Sequence, residues 1–244
     1  MNLGTNFQPL YKQVYDKLIV QLADGFWKPA EALPSEFALA DQLGVSQGTV
    51  RKALNQLVAE NILVRQQGKG TFVSEHTQES SMFRFFRYRE ADGDDLIPST
   101  QVVSMQRREA SEREIEKLKL KTKSKNVELD VVELTRIRSI NNKPAIFERV
   151  VQPLAVFPNI DKEEELPNSL YTLYQEKYNV SIVEVKDELK AVSLPAEVAD
   201  YLNLAADVPA LMTERTSINI DGRVAEWSQA YCSTDNFVYS VSLK

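Results

Sequence analysis

Residues 33–54 read LPSEFALADQLGVSQGTVRKAL, and the punctuation of this stretch predicts two short helices joined by a tight turn. Ser35 follows a proline and precedes FALADQL, so its hydroxyl is placed to cap a helix carrying Leu39, Ala40 and Leu43 inward. Gly44 ends that helix, because glycine takes the left-handed backbone of a helix stop without strain. Ser46 is a second N-cap. From it Val50, Ala53, Leu54, Leu57 and Val58 trace one apolar stripe, leaving Gly48, Thr49, Arg51, Lys52, Asn55 and Gln56 on the outward arc.

The flanks complete a small domain. Leu10, Val14, Leu18 and Leu22 recur every four residues and predict a first helix from about Pro9 to Ala23. FWKPAEALP, with Pro29 and Pro34, reads as an extended connector. Ile62 to Gln66 and Thr71 to Val73 are short strand candidates around QGKG, whose Gly68 and Gly70 suit a tight turn. Three helices and a small hairpin make a winged helix-turn-helix over residues 1–73.

Polar SEHTQESSM, residues 74–82, has no periodicity and is expected to be an irregular linker. Residues 83–244 then form a second domain dominated by alternating strands, expected over 100–106, 127–140, 145–152, 180–194, 210–220 and 223–233. Helices interrupt them: Ser111 with Glu114 forms a capping box before IEKLKL, Asn168 and Ser169 precede LYTLYQEKY, and Pro195 opens AEVADYLNL. NNKP at 141–144 and the type I′ dipeptide Asp221-Gly222 mark hairpins. The class is α+β with a largely antiparallel sheet.

Composition narrows the function. The 244 residues are 43% hydrophobic, enough for two cores. No apolar run approaches the roughly 18 residues of a membrane span, and MNLGTNFQPLYKQ lacks the basic-then-apolar order of a leader, so a cytoplasmic location is expected. A single cysteine, Cys232, and a single histidine, His76, leave no internal disulfide and no zinc cluster, and no cofactor is called for. Net charge is −6, yet residues 1–75 hold seven Lys or Arg against seven Asp or Glu, so the acidic excess lies beyond them. The clusters Arg51-Lys52 and Arg65 to Lys69 allow a local positive face on a neutral domain.

A helix-turn-helix places its second helix in the major groove, with N-terminal residues at base edges and free amides toward phosphate. Gln47, Thr49 and Arg51 stand at that end, Gln47 suited to adenine and Arg51 to guanine or phosphate. Gly48 lets the helix axis approach closely, and Lys69 on the wing reaches the minor groove. Taken singly, each of these is also an ordinary exposed helix or turn residue; taken together with turn, stripe and wing they read as DNA binding.

PLYKQV, LPSE, LADQLGVS, TVRKALNQLVAENIL and RQQGKGTFV, spread over residues 9–73, resemble the winged-helix domain of the GntR family of bacterial transcription regulators. The resemblance implies DNA contact at Ser35, Thr49, Arg51, Lys69 and Gly70. The family usually has arginines where this chain has Phe37 and Gln47, and glutamate where it has Ala38, which removes the capping-box partner of Ser35. LTRIRSINNKPAIFERVV, FPNI, NSLYTLYQEKY and GRVAEWSQAYCSTDNFVYSV are similar to the effector-binding (UTRA) domain of the HutC-like subfamily, whose fold resembles chorismate lyase. That likeness implies a small effector held by Arg136, Arg138, Glu148, Ser169, Tyr171 and Glu226, with Ser99 and Thr100 as further polar candidates.

One part of this map follows from the residues themselves. Arg136 and Arg138 are two apart in an alternating strand, so both project from one face beside Leu134 and Ile140. Guanidiniums on an apolar face are costly unless they meet an anion. That partner is either a ligand or an internal glutamate such as Glu148, whose register against the arginine strand the sequence leaves open. Ser169 and Tyr171 begin a helix, where amides favour phosphate or carboxylate; an N-cap and a core aromatic are the alternative.

The combined expectation is a ligand-responsive DNA-binding regulator, repressive as is usual in the subfamily, acting as a homodimer on a roughly palindromic operator and sensing a small anionic metabolite. Two alternatives stay open at this level: a DNA-binding head fused to an enzyme, and a constitutive DNA binder without effector.

Overall fold

The computed structural model describes residues 8–90, 97–120, 129–235 and 237–241. Residues 1–7 lie outside that set, as do Val127 and Glu128 at the start of one expected strand. Val14, Leu18 and Leu22 of α1 (Leu10–Ala23) pack on Val50, Ala53, Leu54 and Leu57 of α3 (Gln47–Ala59), and Leu39 and Ala40 of α2 (Glu36–Leu43) close the third side. The caps are where the sequence puts them. Ser35 accepts the Ala38 amide at 3.2 Å and Ser46 accepts the Thr49 amide at 3.2 Å. Gly44, at φ 64°, supplies the left-handed stop. β1 (Leu63–Gln66) and β2 (Gly70–Val73) pair antiparallel as the wing.

The stretch expected to be an irregular linker is partly helical. Thr77 caps α4 (Gln78–Phe85) through the Ser80 amide at 3.1 Å, and Ser81, Met82 and Phe85 are buried. Periodicity was invisible there because the buried face includes a serine. Beyond it, six antiparallel strands form one sheet in the order β4-β5-β6-β9-β8-β7: β4 (Ser99–Glu109), β5 (Asp130–Ile140), β6 (Lys143–Pro153), β7 (Ile182–Ser193), β8 (Pro209–Asn219) and β9 (Val224–Ser233). β3 (Tyr88–Glu90) and β10 (Phe237–Tyr239), too short to show alternation, pair separately.

Even-numbered Val132, Leu134 and Val150 face α6 (Leu170–Tyr178). Odd-numbered Val131, Ile137, Phe147 and Val151 face α5 (Glu112–Lys117) and α7 (Ala196–Leu202) on the other side. The two hairpin turns differ from expectation in one respect. Asn141 and Asn142 both have positive φ, 50° and 61°, as a type I′ turn requires, whereas in Asp221-Gly222 only the glycine does, at 80°. A register shift between Ser217 and Ile218 lies close to that second turn. No helix among the described residues is long and apolar enough to cross a membrane.

Head and sheet domain meet over both apolar and polar contacts. Val183 and Ile220 pack against the head's core. Asn179, which ends α6 in left-handed conformation, donates to the Ala23 carbonyl at 2.8 Å. Arg84 donates to the carbonyls of Glu60 at 3.2 Å and Asn61 at 3.4 Å, just beyond α3, and to Val183 at 2.6 Å. Gln175 takes the His76 amide at 2.7 Å and donates to the Ser74 carbonyl at 3.1 Å. His76, placed by sequence in the linker, is only 6% exposed, and burial with Arg84 nearby pushes its pKa down to about 4.

Candidate effector cleft and nucleic-acid interface

The register that sequence left open is settled by pairing: Arg136 stands directly opposite Glu148, and Arg138 opposite Ile146. Arg136 donates through Nη2 to Glu148 at 2.5 Å, so the internal ion pair exists. It does not satisfy the guanidinium. Arg136 is 4% exposed, and its Nε and Nη1 are buried without a hydrogen-bond partner, as is Nε of Arg138. Arg138 otherwise leans on the Phe86 ring at 4.7 Å and touches Met82 Sδ at 3.3 Å and Asn168 Oδ1 at 3.4 Å. These are soft or long contacts for a full charge. Unmet donors on a buried cation cost several kcal/mol unless something fills them.

The space beside these donors is a cleft lined by both arginines, Glu148, Ser169, Tyr171 and Glu226. A second lobe adjoins it through Arg138, Glu148 and Arg215, with Tyr88, Ile146 and Ala230 giving it an apolar wall. Arg215 is bound to Asp187 by two hydrogen bonds of 2.7 Å. Burial raises the pKa of Glu226, with Glu148 nearby acting the same way, against the pull of Arg136 and of the hydrogen bonds that Tyr174 and, at 3.1 Å, Ser217 donate to its two oxygens. Burial acts the same way on Glu148, but Arg136 and Arg138 outweigh it and hold Glu148 below the usual range. Three guanidiniums, those of Arg136, Arg138 and Arg215, thus concentrate positive charge at the cleft beside Glu148, Glu226 and Asp187. The helix adds to it: α6 begins at the cleft, and the Ser169 side chain caps none of its first-turn amides.

Six of the eight expected effector residues line this cleft. Ser99 does not; it is exposed at the start of the edge strand β4, opposite Ser139. Thr100 is spent on Asn168, to which it donates, and lies behind the lining. Sequence reading missed Asn168, Arg215, Ser81, Met82, Phe85 and Phe86. Asn168 was visible only as a residue before a helix, Arg215 as one alternating strand residue among many, and the α4 residues not at all. Cys232 is 1% exposed, with its thiol pushed up to about 12 by burial.

On the head, Gln47 is exposed at the first position of α3 and Lys69 and Gly70 at the wing. Arg51 is not free: its Nε donates to Glu36 at 2.8 Å, and Arg65 donates to the other oxygen of Glu36 at 3.1 Å. Lys52 sits 4.0 Å over the Tyr11 ring. The Thr49 hydroxyl is shared with Ser46 at 2.9 Å, and Ser35 is occupied as a cap. Phe37 is 74% exposed.

A helix-turn-helix with a wing, joined to an α+β domain with a buried cationic cleft, defines a DNA-binding protein that answers to a small ligand. Comparison with known proteins agrees. A family model for bacterial regulatory proteins, gntR family, matches residues 10–73, and one for the UTRA domain matches residues 78–238. The chain is similar to the mannosyl-D-glycerate transport/metabolism system repressor MngR of Escherichia coli K12, 30% identical over 96% of this chain and 95% of that one. It is also similar to a probable fructoselysine utilization operon transcriptional repressor of the same organism, 24% identical over 97% and 96% of the two chains. The ligand-binding domain of a GntR-family regulator from Bordetella bronchiseptica shares the fold, with a TM-score of 0.58 at 23% identity over 66% of this chain and 98% of that one. This chain belongs to the gntR family of bacterial regulators, with a UTRA effector domain of the HutC-like kind. It is a ligand-responsive transcriptional repressor and not an enzyme.

Proposed function

We propose that the effector is a small anionic metabolite seated on Arg136 and Arg138. The observation that carries this reading is the set of buried, unpartnered guanidinium nitrogens, Nε and Nη1 of Arg136 and Nε of Arg138, on residues that line the cleft. Glu148 holds Arg136 in place, Ser169 and Tyr171 bring the α6 amides to the anion, and Glu226 stands on the cleft wall as a polar partner for a hydroxyl. The second, less polar lobe supports a conjugate rather than a bare ion. Two relatives are named for sugar conjugates that carry a carboxylate, mannosyl-D-glycerate and fructoselysine, and a compound of that kind or a sugar phosphate suits both lobes.

DNA is met by Gln47, Thr49, Arg51 and Lys52 on α3, by Ser35 at the start of α2, and by Lys69 and Gly70 on the wing. Phosphate replaces Glu36 as the partner of Arg51 on binding. One recognition helix reads few base pairs, so a homodimer on a roughly palindromic operator in the cytoplasm is the economical arrangement. The test is a thermal-stabilisation screen of sugar phosphates, phosphonates, carboxylates and amino-acid conjugates. A stabilising anion whose effect disappears in Arg136→Ala is expected; stabilisation only by neutral or cationic compounds would overturn the reading.

A further inference from the structure

The amide at the entrance of α6 is already occupied. Gln78, the first residue of α4, places its Oε1 2.7 Å from the Ser169 nitrogen and accepts its proton. A neutral side-chain oxygen thus sits where the helix would receive an anion, next to the unpartnered Arg136 and Arg138 nitrogens. The same short helix closes the cleft: Ser81, Met82 and Phe85 line it, and the Ser81 hydroxyl is buried with no partner. Six residues along from Gln78, Arg84 holds the carbonyls of Glu60 and Asn61 at the C-terminal end of the recognition helix and that of Val183 on β7. Burial lowers its pKa, which marks a guanidinium desolvated by this docking.

We propose that α4 is a displaceable lever: Gln78 holds the anion seat of the empty protein, and Arg84 carries its displacement to the recognition helix. An arriving carboxylate or phosphate accepts the Ser169 amide in place of Gln78, since a charged acceptor outcompetes an amide oxygen there. α4 then loses its tie to α6, and the Arg84 grip on α3 changes with it. Because coupling is reciprocal, loosening Gln78 favours ligand, and loosening Arg84 disconnects ligand from head. The inference rests on the anion-site reading above, and its test separates the two.

The full-length protein is titrated with inorganic phosphate, following thermal stabilisation and amide hydrogen exchange of residues 56–61 and 78–85. In wild type, phosphate should stabilise the protein and speed exchange in both segments. Gln78→Ala should bind phosphate about five-fold more tightly, the size of one removed competing hydrogen bond, and show faster exchange in 78–85 before phosphate is added. Arg84→Lys should keep phosphate binding while exchange in 56–61 no longer responds. Binding to wild type with exchange unchanged in 78–85, or equal affinity in Gln78→Ala, overturns the lever and leaves the anion site standing. Failure of phosphate to bind wild type and Gln78→Ala alike overturns both.

Discussion

The head and the cleft both handle anions, and they treat their arginines in opposite ways. On the head, Arg51 and Arg65 are exposed and share one carboxylate, Glu36, with near-ideal geometry. In the cleft, Arg136 and Arg138 are buried with donors left over. Exposed pairs exchange partners at little cost, which suits a surface that must leave DNA and return to it. A buried cation with unmet donors waits for one kind of ligand and discriminates strongly against anything that cannot fill them. Recognition of a long polyanion and recognition of a small anion are therefore separated by burial, not by residue type.

The largest effect should come from the buried side of this contrast. Arg136→Ala removes both the ligand's donors and the partner of Glu148, and anion affinity measured by calorimetry should fall at least a hundredfold, about 3 kcal/mol. Next is acid. His76 has its folded pKa depressed from 6.5 to about 4, so its contribution is fully present above pH 6.5 and is lost as pH falls toward 4. The total is about 3 kcal/mol by linkage, less what partial unfolding of the docking surface relieves. The groups facing His76 are Arg84 and the Ile182 backbone, and His76→Gln should flatten stability against pH in chemical denaturation over that window.

On the exposed side the effects shrink. Arg51→Ala should weaken operator binding by about 1–3 kcal/mol in a fluorescence titration with unchanged fold; retention of full affinity would show that Glu36 keeps Arg51 off the DNA. Ser46→Ala should cost about 1 kcal/mol of head stability in thermal unfolding. Phe37→Arg restores a cation at an exposed position, and the slope of log affinity against log salt should steepen by about one. A native slope already steep for so few cations would mean that DNA contacts lie beyond those named here.

The same contrast explains what could be read in advance. The head was legible because each of its signals is local: Ser35, Ser46 and Gly44 act within four residues, and the α3 stripe lies within one helix. The strand face of Arg136 and Arg138 was legible by alternation alone. Their ligand wall was not, since Arg215, Asn168 and the α4 residues arrive from segments distant in sequence, and no period announces them. α4 itself was missed because a helix of eight residues, polar over its first half, is stabilised by what it covers, chiefly through Met82 and Phe85, and not by its own pattern. The Asp221-Gly222 hairpin forms where its dipeptide puts it, between β8 and β9, although Asp221 does not take the positive φ of a type I′ turn.

The account's central claim is that an anion in the cleft changes how the head binds DNA. It is tested most directly by operator titrations of the intact protein, on DNA selected by the protein itself, with and without a saturating anion found in the thermal screen. The predicted result is a change in operator affinity of about 5-fold or more, the ordinary range of allosteric coupling, that disappears in Arg136→Ala. Superimposable isotherms at saturating ligand would contradict it.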